Sequence, residues 1–255
     1  GICAGQNKES LLIIYAQFHL KKRFQNAAEA ISHLKEEADA SNTHNVGAAF
    51  TLGWIYYEGV TVPVDHKESV KWLRKAAEQG LPYAQAWLGL CYTNGTEVSQ
   101  DQAEAVKWYL KAAEQGEPNA QYMLGNFYYI GTEVSQDQAE AVKWYLKAAE
   151  QGEPSAQNML GLCYTNGTGV SENDNEAVKW YLKAAEQGET DAQNNLGDYY
   201  MGKMSEDDEN ASTWNNKAIQ YYLKAAKGGH VLAKFNLGEA YVLGDDPDDD
   251  EAQKW

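Results

Sequence analysis

Residues 95–118 read GTEVSQDQAEAVKWYLKAAEQGEP, and residues 131–154 repeat all 24 of them at an offset of 36. Looser copies begin at Gly59 and Gly167. A chain copied at this period is an array of one supersecondary unit, in which each unit contacts its neighbours and no single central core forms. The unit is anchored on Ala48, Ala84, Ala120, Ala156 and Ala192, each 36 apart, and then on Ala233, after a unit with five extra residues.

Each unit spells two helices. In the first, Pro82 sits where an opening turn accepts proline. Ala84, Leu88 and Tyr92 then share one face at i, i+4 and i+8. Gly89 lets a neighbouring helix come close, and Gly95 supplies a left-handed stop. Val98, repeated as Val62, Val134 and Val170, is the apolar residue of the following loop and is expected to plug the helix pair. Asp101 caps the second helix with Glu104 three residues on, a capping box repeated at Asp65/Glu68, Asp137/Glu140 and Asn173/Glu176. Ala105, Trp108, Ala112 and Ala113 form its inner stripe, Trp108 filling the space between helices, and Gly116 ends it.

The organisation that follows is an N-terminal capping helix pair at 1–44 and an array at 45–255. Its units are 45–80, 81–116, 117–152, 153–188, 189–229 and a truncated 230–255. Within 1–44, segments 8–23 and 26–40 carry apolar residues at helical spacing. The five extra residues of the fifth unit fall within 201–214, which is rich in acids and reads as a surface loop.

The pattern A-x-x-x-L-G-x-x-Y-x-x-G followed by D-x-x-x-A-x-x-W-x-x-x-A-A-x-x-G resembles the Sel1-like repeat, a relative of the tetratricopeptide repeat. The resemblance covers about 48–255. The fifth unit replaces the tryptophan by Tyr221. It implies an all-α fold, a right-handed α/α superhelix (solenoid) of helix-turn-helix repeats, and a role in protein–protein interaction. The implied function is a non-enzymatic scaffold or adaptor that binds a peptide or protein in a concave groove. The alternative is a bacterial immunity protein neutralising a secreted toxin such as a phospholipase effector. A cysteine pair per repeat marks the disulfide-rich branch of the family, and this chain lacks it.

Composition sets the partner class. The net charge of −16 repels nucleic acid and anionic membrane surfaces and favours a basic or neutral protein partner. No apolar run is long enough for a membrane span. Cys91 and Cys163 share one repeat position two units apart, beyond disulfide reach, and read as buried free thiols. The chain is expected to be monomeric and to use no cofactor. The expected compartment is bacterial, exported or periplasmic, with a leader outside this numbering.

The second helices barely vary among units two to four, whereas the first helices do. Counting from the anchoring alanine, positions +2, +6 and +9 point away from the Ala/Leu/Tyr face. In tetratricopeptide-like arrays the first helices line the groove. The candidate partner-binding residues are therefore Leu90, Thr93, Tyr122, Asn126, Tyr129, Asn158, Leu162, Asn194 and Asp198, a hot-spot composition. The competing reading is that this stripe packs against neighbouring first helices, and Phe50 and Trp54 are expected to pack against the N-terminal pair.

No catalytic constellation emerges. No histidines occupy a metal-binding pair, and four of the five fall outside the repeat core and read as surface residues. The Asp245-to-Glu251 run lacks the glycine and spacing of a calcium loop. No glycine loop cradles a phosphate.

Overall fold

The computed structural model describes residues 26–39 and 46–243. Among these residues the fold is all-α and contains no strand. The helices are α1 (Ala27–Asp39), α2 (Val46–Glu58), α3 (His66–Glu78), α4 (Pro82–Asn94), α5 (Gln102–Glu114) and α6 (Pro118–Ile130). They continue as α7 (Gln138–Glu150), α8 (Pro154–Asn166), α9 (Asp174–Glu186), α10 (Thr190–Glu206), α11 (Ala211–Lys227) and α12 (Val231–Leu243). Even-numbered helices are the first helices of the repeats, and α3 to α11 of odd number are the second. The segment 8–23, the acidic run 245–251 and the truncated helix after it lie outside the described residues.

The chain divides into two compact units, Gly1–Leu124 and Gly125–Trp255. In the first, α1 to α5 pack in sequence, each on the next, ending with α4 on α5. In the second, α7 to α12 do the same, and α10 also touches the first helices on either side, α8 and α12. This consecutive pairing is the solenoid architecture.

Helix ends follow from local chemistry. Asp65, Asp101, Asp137 and Asn173 accept from the backbone N–H three residues on at 2.9–3.2 Å, so each second helix is capped as the sequence predicts. The reciprocal half of the capping box is not the one formed. The cap residue's own N–H instead donates to the carbonyl of Tyr56, Tyr92, Tyr128 or Tyr164, which ties the loop back onto the preceding first helix. The glutamate is thereby released: Glu104 pairs with Lys107, and Glu68 with Lys71 and Trp72 Nε1.

The fifth repeat departs from expectation. Its extra residues lengthen both helices to 17 residues, against 13 in the other helices, and the acidic stretch is largely helix. Asp207 holds the connection by accepting from Asn210 and from Trp214 Nε1 at 3.2 Å. Tyr200 stacks between Trp214 and Tyr221, with centroids 5.9 and 5.7 Å away.

The seam between paired helices is a tyrosine in a glycine notch. Tyr109, Tyr145, Tyr181 and Tyr222 are buried on second helices, and a Cβ on Gly89, Gly125, Gly161 or Gly197 would meet their rings at 2.3–3.0 Å. Only glycine admits an aromatic ring at that approach. Trp108, next to Tyr109 in the chain, is buried in the core cluster with Lys111 4.1 Å over its ring; Trp144 and Trp180 are covered in the same way by Lys147 and Lys183. In the first repeat Leu73 replaces the tyrosine against Gly53.

Candidate interaction surface

A tyrosine ring buried in a glycine notch leaves its hydroxyl deep between helices, where it must find a partner. The first helix supplies one at one of two positions. Tyr145 donates to Asn126 Oδ1 at 2.7 Å, and Tyr222 donates to Asp198 Oδ1 at 2.7 Å; both acceptors are at +6. Tyr181 instead meets Thr165 Oγ1 at 3.2 Å, and Thr93 stands near Tyr109, where it lowers the cost of ionising that hydroxyl; both threonines are at +9. The remaining position then changes in compensation. Repeats using Thr93 or Thr165 carry Leu90 or Leu162 at +6, and repeats using Asn126 or Asp198 carry Tyr129 or Met201 at +9. The first repeat has Leu73 and needs no acceptor, and its positions are Trp54 and Tyr57. Much of the variation in the stripe is thus the satisfaction of one hydroxyl per repeat.

Burial holds these groups neutral. It pushes Tyr109 up to about 12 and raises Tyr181, the latter against the lowering effect of the Thr165 bond. Tyr222 is also raised, first by burial and then by its bond to Asp198. Cys91 and Cys163 are buried free thiols, as the sequence predicts, and burial lifts both to about 11.

The nine candidate residues divide by position. At +2, Asn158 and Asn194 are buried and engaged by the next first helix: Asn195 Nδ2 donates to Asn158 at 3.0 Å, and Asn236 Nδ2 to Asn194 at 3.1 Å. Tyr122, at the same position, is half-buried. At +6, Leu90 and Asp198 are exposed, while Leu162 and Asn126 are half-buried. At +9, Thr93 and Tyr129 are half-buried, with Tyr129 tilted against Tyr145 at 6.5 Å. Phe50 and Trp54 pack against the core cluster shared with α1. Asp198 is the most engaged of the set. It also accepts from Asn194 and Asn236 at 3.0 and 3.1 Å.

Charge divides the two helix classes. The six first helices from α2 to α12 contain two basic residues, Lys203 and Lys234. The second helices contain four on α3, two each on α5, α7 and α9, and three on α11. Many of those lysines are matched by glutamates one turn away, as in Lys71–Glu68 and Lys143–Glu140. Asp198 and Glu239 on first helices have no ion pair among the described residues. The sequence reading missed this segregation because it followed the variable stripe rather than charge by helix class.

Among the described residues no group of three or more His, Cys, Asp or Glu side chains could hold a metal ion, and no helix is long and apolar enough to cross a membrane.

The model for the Sel1 repeat matches residues 46–81, 82–117, 118–153, 154–189, 190–230 and 231–255. A Sel1 repeat protein from Oxalobacter formigenes is 39% identical over 89% of this chain and 91% of its own, with a TM-score of 0.76. A protective antigen of uropathogenic Escherichia coli is 31% identical, with a TM-score of 0.77. The match covers 96% of this chain and 51% of the antigen, so the chain spans about half of that relative. An immunity protein from Pseudomonas aeruginosa shares the fold at 23% identity and a TM-score of 0.50, over 80% of this chain and 75% of its own. No curated protein matches the chain.

Proposed function

The chain belongs to the Sel1 repeat family, whose members are protein-interaction scaffolds, and from that premise we propose that it is a non-enzymatic scaffold binding a basic protein or peptide on its first helices. The observation that carries this reading is the charge segregation. A chain of net charge −16 keeps nearly all the basic residues of its repeat helices on the second helices, and leaves the first helices neutral or acidic. A basic partner is steered towards the first helices and away from the lysine-bearing second helices.

Within the stripe, residues free of internal duty are the ones open to recognition. Leu90, Leu162 and Tyr129 satisfy no buried hydroxyl, whereas Asn158 and Asn194 are committed to neighbouring helices. The binding determinants are therefore the apolar and aromatic residues at +6 and +9, with Glu239 supplying charge.

Affinity capture from the source cells tests the proposal with two variants: Leu90→Glu/Leu162→Glu on first helices and Leu110→Glu/Leu146→Glu on second helices. The first pair should lose the specifically captured proteins, and the second should retain them. Captured proteins should elute as salt is raised. Loss with the second pair alone would refute the assignment. The narrower role of immunity protein draws support only from the fold shared with the Pseudomonas aeruginosa protein, and co-purification of a toxin with this chain would test it.

A further inference from the structure

The joint between α11 and α12 is built differently from the joints before it. In four repeats a buried glutamine at +1 of the first helix locks onto the end of the preceding second helix. Gln85, Gln121, Gln157 and Gln193 donate to the carbonyls of Ala77, Ala113, Ala149 and Ala185 at 3.0–3.1 Å. In α12 that position is Lys234, which is exposed. A second glutamine completes the clamp where Gln115 donates to Gln85 and Gln187 to Gln157. The equivalent residue of the fifth repeat is Gly228, and the Gln193 Oε1 it would meet is buried without a partner.

What α12 has instead is His230. The N–H of Ala233 donates to His230 Nδ1 at 3.0 Å, so the ring acts as the helix N-cap with that nitrogen unprotonated. The other nitrogen, Nε2, lies 3.1 Å from Asp191 Oδ1 on α10. The ring's side chain is 18% exposed and the Asp191 side chain 61%. Glu117 performs the same capping for α6 by accepting from Ala120 through a carboxyl oxygen, which remains an acceptor in either protonation state. Histidine is the side chain that takes a proton between about pH 5 and 8.

We infer that His230 is a pH-sensitive latch on α12. Protonation places a hydrogen on Nδ1 facing the Ala233 N–H, which abolishes the cap, and sets a positive charge at the positive end of the helix dipole. Asp191 opposes this, but its carboxylate is largely in water, so the added attraction is screened. Lys227 and Lys234, three and four residues away in the chain, are exposed and add to the repulsion. With no glutamine clamp behind it, α12 loosens as pH falls, releasing Asn236 from Asn194 and Asp198.

Amide hydrogen exchange of residues 231–243 in the full chain tests the latch at about pH 7.5 and about pH 5.5, corrected for intrinsic rates. Wild-type α12 should exchange about tenfold faster at the lower pH, while α8 is unchanged. His230→Asn, which keeps a capping acceptor that does not titrate, should remove the difference. Equal protection of wild-type α12 at both pH values would overturn the inference, as would an undiminished difference in His230→Asn. Greater protection at low pH that disappears in Asp191→Asn would also overturn it, because the ion pair would then be the dominant contact.

Discussion

The hydroxyl of Tyr222 reaches Asp198 Oδ1 at 2.7 Å, and one repeat earlier Tyr181 meets Thr165 three residues further along its first helix. The same ring in the same glycine notch thus chooses between two partner positions. The position left over is free to carry a leucine, a tyrosine or a methionine. This relationship separates residues that hold the array together from residues available to a partner.

Moving the acceptor should be tolerated, and removing it should not. Asn126→Leu leaves the Tyr145 hydroxyl buried without its acceptor and should cost about 1–3 kcal/mol in urea unfolding. Adding Tyr129→Thr rebuilds the arrangement of the neighbouring repeats and should recover at least half of the loss. A double variant no more stable than Asn126→Leu would show that the two positions are not interchangeable.

The glycine notch predicts a sharp contrast between two Gly→Ala changes. At Gly161 the new Cβ would sit 2.4 Å from Tyr181 Cε1, and the overpacked seam should lose about 1–3 kcal/mol. At Gly202, also helical, nothing lies within 4 Å, and alanine should stabilise by about 0.5–1 kcal/mol. Thermal or urea unfolding of both variants checks the sign as well as the size.

Alkaline pH should unfold the protein through its buried tyrosines and thiols. Tyr109 rises to about 12, and Cys91 and Cys163 to about 11, because burial penalises their charged forms. A folded-state value raised above the unfolded one gives stability that is present in full below the unfolded value and lost as pH climbs through the folded value. Urea midpoints should hold to about pH 9 and then fall through about pH 11–12. Cys91→Ala/Cys163→Ala should flatten the early part of that decline.

The missing clamp of the fifth repeat should be repairable. A Cβ on Gly228 would lie 2.5 Å from Thr190 Cγ2, and Thr190 stands where other repeats have Pro82, Pro118 or Pro154. Gly228→Gln alone should therefore gain little. Combined with Thr190→Pro it should gain about 0.5–1.5 kcal/mol by giving Gln193 Oε1 its donor. Differential scanning calorimetry of the two variants distinguishes the cases.

The helix pairs and the aspartate caps were legible in the sequence, because periodicity and cap chemistry act locally at positions such as Asp101 and Gly95. The role of Tyr109 was not. A glycine twenty residues earlier creates its notch, and only helix pairing brings the two together. The fifth-repeat insertion was misread because its acidic composition suggested a loop, whereas two helices lengthened together to pack Tyr200 between Trp214 and Tyr221. Asn158 and Asn194 looked like recognition residues. Each accepts from the next first helix, the packing that the sequence offered as the competing reading of the stripe.

Site-specific photocrosslinking tests the scaffold proposal most directly. Benzoylphenylalanine placed at Leu162 on a first helix should give a specific protein adduct in source-cell extract, competed by unmodified protein and weakened by salt. The same group at Leu146 on a second helix should give none. A specific adduct at position 146 with none at 162 would contradict the account.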